Sequence, residues 1–423
     1  MARVIVIGGG AAGMMAAYGA GLSGHEVLLL EKNEKIGKKI YITGKGRCNF
    51  TNACDVEDFL KNVVTNPKFL YSALYTLDSF SMIDFIENNG TKTKVERGNR
   101  AFPESDHASD ITHALSNAMR NVGVKVFLNT KVSDLVKQNN SISGVVIENG
   151  FPSELKNYVN GKIIECDNVI IATGGISYKS TGSDGDGHRI SKKLSHSITE
   201  LRPALVPFNV SEEYIKDLQG LTLKNVNLKI KNEEKLIFSE FGDLLFTHFG
   251  VSGPIVLSAS SIIGKQIYGP NKVNKLKAYI DLKPALELQQ IEDRIIREID
   301  ENPNKKFINI IKGFLPSSMV EIFVQKLELD DDLVNNSVTK ELRIRFANLL
   351  KNFDFTIVSL RDFNEAIVTS GGVSVKEIDP STMKSKLIDG LSFAGEIIDV
   401  DAFTGGFNLQ IAFSTGFLAG LSI

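Results

Sequence analysis

The chain has 423 residues, of which 43% are hydrophobic and 23% are charged, and its formal net charge is -2 at pH 7. A chain of this length is expected to form two or three domains, and it is long enough to enclose a large cofactor. The near-neutral charge gives no general attraction to nucleic acid or to an anionic membrane, so we expect a small-molecule substrate and neither of those partners.

A βαβ unit is predicted at the start of the chain. Residues 3–7 (RVIVI) form a short apolar, β-branched run, which is typical of a buried parallel strand. Residues 11–22 are rich in small side chains and predict a helix that packs closely on a sheet, and residues 25–30 predict the second strand. An amphipathic helix is then predicted at 106–121, with strands at 124–128, 144–147 and 168–171.

The sequence changes in character after residue 203. Alternating strands are predicted there, including residues 225–230, and residues 285–352 combine a helical period with many charged side chains. A last strand is predicted at 390–394 and an apolar helix at 408–421. We therefore expect an inserted domain between two parts of the N-terminal domain.

The glycine-rich segment between the first strand and the first helix has the spacing GxGxxG. Gly8 permits the tight turn, Gly10 lets the backbone approach a pyrophosphate, and Gly13 lets the helix pack against the strand. Glu31 ends the second strand about 20 residues further on, where a ribose-binding carboxylate is expected. Together these residues predict a dinucleotide site at the N-terminus of a helix.

The segment that follows Glu31 favours FAD over a nicotinamide dinucleotide. Residues 36–52 (IGKKIYITGKGRCNFTN) are predicted to be a long loop, too polar for the core and too glycine-rich for a helix. Lys38 and Lys39 can offset phosphate charge, while Gly44 and Asn49 can present donors to a flavin ring. The alternative is a solvated surface loop with a basic face.

Ordered sequence blocks then identify a family. They are TGKGRCNFTN at 43–52, RAFPESDHASD at 100–110, ATGG at 172–175, TGSDGDGHRIS at 181–191, FTHFGVSGP at 246–254, TSGGVSVKEIDPSTMKSKL at 369–387 and GLSFAGEIIDVDAFTGGFNLQIAFSTG at 390–416. With these blocks the chain resembles the bacterial flavoproteins that include aminoacetone oxidase and a 3-dehydro-bile-acid reductase. That family is similar to the glutathione-reductase-like and fumarate-reductase-like flavoproteins.

The resemblance implies a set of FAD contacts across the chain. They are Ala12, Glu31, Lys38, Gly44, Asn49, Val132, Asn408 and Leu409, with Gly395 and Glu396 near the ribityl and pyrophosphate portion. The candidate cofactor residues also include Lys32, Arg47, Thr173, Gly174 and Gly406. Gly406 precedes the C-terminal helix, whose positive dipole end can stabilise an anionic reduced flavin; the alternative is a helix with a flexible entry.

Two side chains are candidates for catalysis. His248 can donate a proton, although a histidine in such a segment more often fastens a turn. Arg100 can bind an anionic or carbonyl group of the substrate, and a surface salt bridge is the alternative. Asp184 and Asp186 lie in a glycine-rich segment that favours a turn and a helix cap, so no metal site is predicted.

The cysteine content indicates the compartment. Cys48, Cys54 and Cys166 form neither an even set nor a CxxC pair, which argues against a disulfide framework, a zinc site and a dithiol redox centre. No apolar run approaches the length of a bilayer span, and the first strand begins at Arg3 or Val4. We expect a cytoplasmic protein, and the sequence leaves its oligomeric state open.

The expected fold class is therefore α/β, with a Rossmann-like FAD-binding domain and an inserted β-rich domain that carries a helical subdomain. The FAD-binding domain is placed at 1–194 and 376–423, the inserted domain at 195–284 and 353–375, and the helical subdomain at 285–352.

The sequence favours an FAD-dependent oxidoreductase that transfers a hydride at flavin N5, with substrate between the two domains. We favour an NAD(P)H-fed reductase of an unsaturated or carbonyl small molecule. Alternatives are an oxygen-using oxidase of a small amine such as aminoacetone, a flavin-containing RNA-modifying protein, and a nucleotide sensor without turnover. Only one dinucleotide fingerprint is visible, so NAD(P)H is expected to be a transient donor.

Overall fold

The structure is a computed structural model that describes residues 1–268 and 275–423. The chain divides into two units, the first formed by Met1–Ala204 with Phe363–Ile423 and the second by Leu205–Asp362. The strands are β1 Arg3–Ile7, β2 Glu26–Leu30, β3 Thr51–Asn52, β4 Val63–Thr65, β5 Thr93–Glu96, β6 Arg100–Pro103, β7 Lys125–Phe127, β8 Val132–Gln138, β9 Ser141–Ile147, β10 Val159–Asn160, β11 Ile163–Glu165, β12 Asn168–Ile171, β13 Arg202–Ala204, β14 Phe208–Val210, β15 Thr222–Asn232, β16 Lys235–Thr247, β17 Gly250–Ser252, β18 Leu276–Asp281, β19 Phe353–Leu360, β20 Val368–Ser370, β21 Leu391–Phe393 and β22 Asp401–Ala402. The α-helices are α1 Ala11–Leu22, α2 Lys38–Ile42, α3 Val56–Lys61, α4 Tyr71–Thr76, α5 Ser79–Asn88, α6 Ala108–Asn121, α7 Asp186–Lys193, α8 Tyr214–Asp217, α9 Pro254–Tyr268, α10 Leu288–Glu301, α11 Ile308–Phe314, α12 Ser317–Leu327, α13 Lys340–Lys351 and α14 Phe407–Leu421.

The first unit is built on a five-stranded sheet with the order β21-β12-β1-β2-β7. All four neighbouring pairs are parallel, and Ile7 at the end of β1 is opposite both Leu30 and Ile171. The central strands are apolar on both faces because helices cover parallel sheets on both sides. The C-terminal segment supplies the edge strand β21, and α14 packs against α1. This arrangement confirms the predicted Rossmann-like parallel sheet.

The second unit contains a closed antiparallel barrel with the strand order β14-β17-β16-β15-β18-β19. Alternation along the strands separates its two faces: Leu228 and Ile230 are buried, whereas Lys229 and Lys231 beside them are partly exposed. Helices α10 to α13 follow β18 and precede β19 in the chain. The predicted β-rich insertion with a helical portion is thereby confirmed as part of the fold class.

The division into units follows the pairing of two short strands. β13 and β20 are antiparallel neighbours, with Arg202 opposite Ser370, and both belong to the first unit. The two compact units meet at Ala204/Leu205 and Asp362/Phe363, whereas the sequence places the domain boundaries at 194/195 and 375/376.

The prediction of a continuous loop at residues 36–52 was wrong. Residues Lys38–Ile42 form α2, preceded by Gly37 in a left-handed conformation with φ 71°, and a 3₁₀ turn follows at Thr43–Gly46. The helix forms because its five residues contain no glycine and because Ile40 is buried in the core. The glycines that argued against a helix flank it instead.

Candidate functional site

A cavity of about 1370 Å³, part of it open to solvent, lies in the first unit. It is at the carboxyl ends of β1, β2 and β12. In the sheet, β2 lies on one side of the central strand β1 and β12 lies on the other, so the strand order changes direction at this point. Open parallel sheets bind their ligands at such a position. Its walls come from Ile7–Ala12, Leu30–Asn33, Gly37–Lys39, Thr43, Thr130–Val132, Ala172–Gly174, Thr181–Ser183, Asp186, Ile190, Ile367, Val368, Glu396, Val400, Asn408, Leu409, Ile411 and Ala412.

The glycine turn has the shape that a pyrophosphate requires. A Cβ atom on Gly13 would lie 1.8 Å from the carbonyl oxygen of Gly8, so only glycine fits behind the turn. A Cβ atom on Gly10 would meet no atom of the described residues within 4 Å, so the side of Gly10 that lines the cavity is open. Gly10 is also the N-cap of α1, whose first-turn N–H groups have no partners within the helix. The turn thus offers an anion both space and donors.

Glu31 is held against this turn. Its Oε2 accepts a hydrogen bond from the Gly9 N–H at 2.7 Å, and its Oε1 accepts from the Asn33 N–H at 2.8 Å and from Asn33 Nδ2 at 2.7 Å. The side chain is 7% exposed and lines the cavity. A fixed carboxylate beside an open glycine turn fits the ribose of a dinucleotide, as the sequence predicted.

A partly buried polar network lies in the cavity wall around Glu396. Lys39 Nζ donates to Glu396 Oε2 at 2.7 Å and to Ser177 Oγ at 2.8 Å. Glu396 Oε1 accepts from the Ser177 hydroxyl at 2.9 Å and from the Thr369 N–H at 2.7 Å. Burial alone would raise the pKa of Glu396, but the Lys39 ammonium and these hydrogen bonds lower the pKa below its usual range. Glu396 therefore stays ionised in the wall of the cavity.

We expect Glu396→Gln to lower the free energy of unfolding of the apoprotein by about 1–3 kcal/mol at pH 7, because it removes charge-assisted hydrogen bonds. Since the folded-state pKa is depressed, the carboxylate contributes fully above its unfolded-state value of about 4.3, and this contribution disappears as the pH falls through the lower folded-state pKa. Urea unfolding from pH 8 to pH 3 measures this difference.

The matched control for this prediction is Glu148→Gln. Glu148 pairs with Lys131 at 2.9 Å, and its side chain is 50% exposed, so the change is expected to cost less than about 1 kcal/mol. A Glu396 effect that is no larger than the Glu148 effect, or that grows as the pH falls, would contradict the role of the network.

Lys32 and Lys38 also line the cavity, and carboxylates partly neutralise both. Lys32 Nζ is 2.6 Å from Asp184 Oδ2 and 3.4 Å from Asp186 Oδ2, and Lys38 Nζ is 3.2 Å from Glu34 Oε2. Asp184 Oδ1 also accepts a hydrogen bond from the N–H of Asp186, the first residue of α7. The N-cap of α7 is Gly185, which has no side chain to cap the helix.

The structure brings most of the predicted cofactor residues to one cavity. Those that line it are Gly8, Gly10, Ala12, Glu31, Lys32, Lys38, Val132, Thr173, Gly174, Glu396, Asn408 and Leu409. Gly13, Gly44, Arg47, Asn49, Gly395 and Gly406 do not line it. Sequence reasoning did not find Ser177 and Thr369, whose contacts with Glu396 join segments that are distant in the chain.

Asn49 and Gly406 are close to each other at the start of the C-terminal helix α14. A Cβ atom on Gly406 would lie 2.9 Å from Asn49 Oδ1, and this oxygen is buried without a hydrogen-bond partner among the described residues. A buried acceptor of this kind needs a donor. A ring N–H of a bound flavin would supply one, so Asn49 also fits the predicted cofactor.

Arg47 is engaged elsewhere. Its guanidinium contacts Glu96 at 2.5 Å and Asp106 at 2.7 Å, and it lies 4.3 Å from the centre of the Phe102 ring. These groups occupy its donors, so the described contacts give Arg47 a structural role on the surface of the first unit.

The two catalytic candidates do not line the cavity. His248 is exposed in the second unit between β16 and β17, with its ring 4.9 Å from that of Phe249. Arg100 is exposed on β6 and lines a separate surface groove with Asn99 and Lys61. Neither position by itself indicates a role in catalysis.

Cys48 lies next to Asn49 but is a poor redox candidate. It is fully buried, and burial raises the pKa of its thiol to about 12. The thiolate that disulfide exchange requires is therefore scarce at neutral pH.

Comparison with known proteins decides the family. Residues 2–422 match the family described as the HI0933-like protein Rossmann domain. The chain belongs to this family. The protein is an FAD-dependent oxidoreductase, as the sequence blocks predicted. Among the described residues, the structure has no helix both long and apolar enough to cross a membrane.

The relatives that match almost the whole chain include proteins with two different activities. The chain is 30% identical over 426 residues to a 3-dehydro-bile acid delta(4,6)-reductase of Clostridium scindens, covering 99% of this chain and 98% of that protein. It is 29% identical over 423 residues to a ribosomal RNA dihydrouridine synthase of Haemophilus influenzae, covering 99% of this chain and 98% of that protein.

The fold of this chain is shared with a flavocytochrome c3 fumarate reductase in an open conformation. The two structures align with a TM-score of 0.51 and 15% sequence identity, over 100% of this chain and 78% of the other. The alignment confirms the predicted similarity to fumarate-reductase-like flavoproteins at the level of fold.

Proposed function

We propose that this protein reduces a carbon–carbon double bond conjugated with a carbonyl group, using NAD(P)H as the electron donor. The observation that carries the proposal is the pair of full-length relatives, a delta(4,6)-reductase of a 3-dehydro-bile acid and a dihydrouridine synthase. A 3-oxo group with double bonds at positions 4 and 6 and a uracil ring both contain a C=C bond conjugated with C=O. Adding two hydrogens to that bond is the chemistry that the two names share.

The residues of this chain bind and orient the cofactor in this proposal. FAD, when bound, supplies a hydride from its N5 atom to the substrate. Glu31 holds the ribose, the first turn of α1 binds the pyrophosphate, and the Asn49 side chain accepts from the flavin ring. Lys39 and Glu396 form an ion pair in the wall of the same cavity.

The electron donor is proposed to bind transiently. One glycine fingerprint precedes α1, and FAD occupies it, so NAD(P)H and substrate share the remaining space in turn. This order predicts ping-pong kinetics, in which the oxidised nicotinamide leaves before the substrate binds.

A small unsaturated ketone is the first candidate substrate, because the net charge of -2 provides no general attraction to a polyanion. A uracil base in RNA is the second candidate, and the dihydrouridine synthase among the relatives favours it. Both candidates need a proton donor, for which His248 is the proposed group, and Arg100 is the proposed contact for a polar group of the substrate.

Anaerobic titration of the FAD-bound protein tests the proposal. NADH and NADPH are added separately, and we expect one of them to bleach the flavin absorbance. A conjugated ketone such as a 4-en-3-one steroid is then expected to restore the absorbance without oxygen, while the saturated ketone is inactive. His248→Gln is expected to slow only this second step. Reoxidation by oxygen alone, together with bleaching by aminoacetone, would instead identify an amine oxidase.

A further inference from the structure

The outer face of the barrel in the second unit collects lysines that are separated in the sequence. In β15 the buried Leu228 and Ile230 alternate with Lys229 and Lys231, so both lysines point away from the barrel interior. The same alternation in β18 buries Ala278 and leaves its neighbours outside.

The strand register places these residues side by side. Lys231 is directly opposite Lys277, and Lys229 is directly opposite Tyr279. On the other side of β15, Lys229 is opposite Ser239, and Asn227 is opposite Phe241. We call this surface the lysine face; it consists of Asn227, Lys229, Lys231, Ser239, Phe241, Lys277 and Tyr279.

The charges of the lysine face are only partly balanced. Lys277 Nζ is 3.5 Å from Asp354 Oδ2 and 3.9 Å from Glu212 Oε1, so nearby acids offset its charge. Lys229 and Lys231 form no ion pair with any residue of 1–268 or 275–423. Lys231 is directly opposite a second lysine, which destabilises a strand pair. A bound anion would relieve this repulsion.

Aromatic groups lie between these charges. Phe241 is 56% exposed, which is unusual for a phenylalanine, and Lys231 Nζ is 5.6 Å from the centre of the Tyr279 ring. Proteins that bind single-stranded nucleic acid combine cations that contact the phosphates with aromatic rings that stack on the bases. Leu236, directly opposite Lys231, is 52% exposed as well. A protein partner would need a larger apolar patch than these two side chains.

We propose that the lysine face binds single-stranded RNA. This proposal rests on the proposed function only through its second candidate substrate, a uracil base within RNA. It adds the protein surface that would bind the RNA strand. The net charge of the whole chain does not oppose it, because phosphate contacts are local. Lys229 and Lys231, which form no ion pair with a described residue, lie two residues apart on β15.

Fluorescence anisotropy of a labelled 20-nucleotide oligouridylate tests the proposal with the full-length, FAD-bound protein. Parent binding is expected to weaken as KCl rises from 50 to 300 mM. Lys229→Gln with Lys231→Gln is expected to make the logarithmic salt slope shallower by about 1.4, because each phosphate contact on a single strand contributes about 0.7. Phe241→Ser is expected to weaken binding roughly ten-fold at every salt concentration.

The matched control changes Lys305 and Lys312 to glutamine. Both lysines are exposed, and neither forms an ion pair with a described residue. Their substitution removes the same amount of charge from another part of the second unit. The proposal is overturned if the parent does not bind the oligouridylate at 50 mM KCl, or if the control pair loses as much binding as the lysine-face pair.

The same variants separate this proposal from the proposed function. Each is titrated with a conjugated small ketone, and flavin reoxidation is recorded. Reoxidation without any RNA binding would overturn the lysine-face proposal alone. RNA binding that depends on Lys229 and Lys231 supports it whatever the ketone does.

Discussion

Gly10→Ala is expected to leave the apoprotein folded and to weaken FAD binding roughly ten- to a hundred-fold. This corresponds to a loss of about 1–3 kcal/mol of binding free energy, because the added methyl group would crowd the cofactor. The new methyl group would meet no described protein atom within 4 Å, so the fold has no reason to change. It would instead occupy the side of the turn where a pyrophosphate approaches the first N–H groups of α1. Isothermal titration of the apoprotein with FAD measures the effect, and thermal unfolding of the apoprotein verifies the fold.

Two other glycines serve as controls for this result. Gly13→Ala would place a methyl group 1.8 Å from the Gly8 carbonyl oxygen, so it is expected to reduce apoprotein stability as well as FAD binding. Gly313→Ala is in α11, where the nearest atom is 3.6 Å from the added Cβ, and it is expected to change neither FAD binding nor the fold. Unchanged FAD affinity in Gly10→Ala would place the pyrophosphate elsewhere.

Glu31→Ala is expected to weaken FAD binding about ten-fold or more, since a hydrogen bond to a charged group contributes about 1.5–3 kcal/mol. The carboxylate also receives the N–H groups of Gly9 and Asn33, so the apoprotein should lose stability too. Glu31→Gln keeps one acceptor for these N–H groups, and it is expected to restore part of the stability but little of the FAD affinity.

Glu34→Gln is the control for the change of charge. Glu34 lies three residues further along the chain, pairs with Lys38, and has a side chain that is 63% exposed. We expect FAD affinity within two-fold of the parent for this variant. FAD retention is measured by equilibrium dialysis. Equal retention in Glu31→Ala and the parent would contradict the prediction that Glu31 binds the ribose of FAD.

The N-terminal part of the site was predictable because its signals are local. Gly8 to Gly13 and Glu31 lie within one βαβ unit, and the structure places Gly8, Gly10 and Glu31 at one cavity. The turn needs glycine so that a pyrophosphate can approach the backbone, and the end of the second strand needs an acid to bind the ribose. Both requirements can be recognised from a short stretch of sequence.

The network around Glu396 was not predictable from local signals. Ser177, Thr369 and Lys39 contact Glu396 from segments far apart in the chain, and each is an ordinary polar residue in its own sequence context. Only the fold shows that they surround one carboxylate.

The lysine face was missed for a related reason. A search for a contiguous basic block fails here because β-strand alternation places an apolar residue between the two lysines, as Ile230 separates Lys229 from Lys231. The α2 helix was missed because glycines dominate the segment around it, although Lys38–Ile42 itself contains none.

The most direct measurement of the central claim is a product balance in a single turnover. The FAD-bound protein is made anaerobic, reduced with one equivalent of the effective nicotinamide, separated from free nucleotide, and mixed with a conjugated ketone. We predict that one ketone molecule gains two hydrogen atoms across its C=C bond, by mass spectrometry, for each flavin whose absorbance returns. Flavin reoxidation only after oxygen is admitted, with the ketone recovered unchanged, would contradict the proposed reduction of conjugated double bonds.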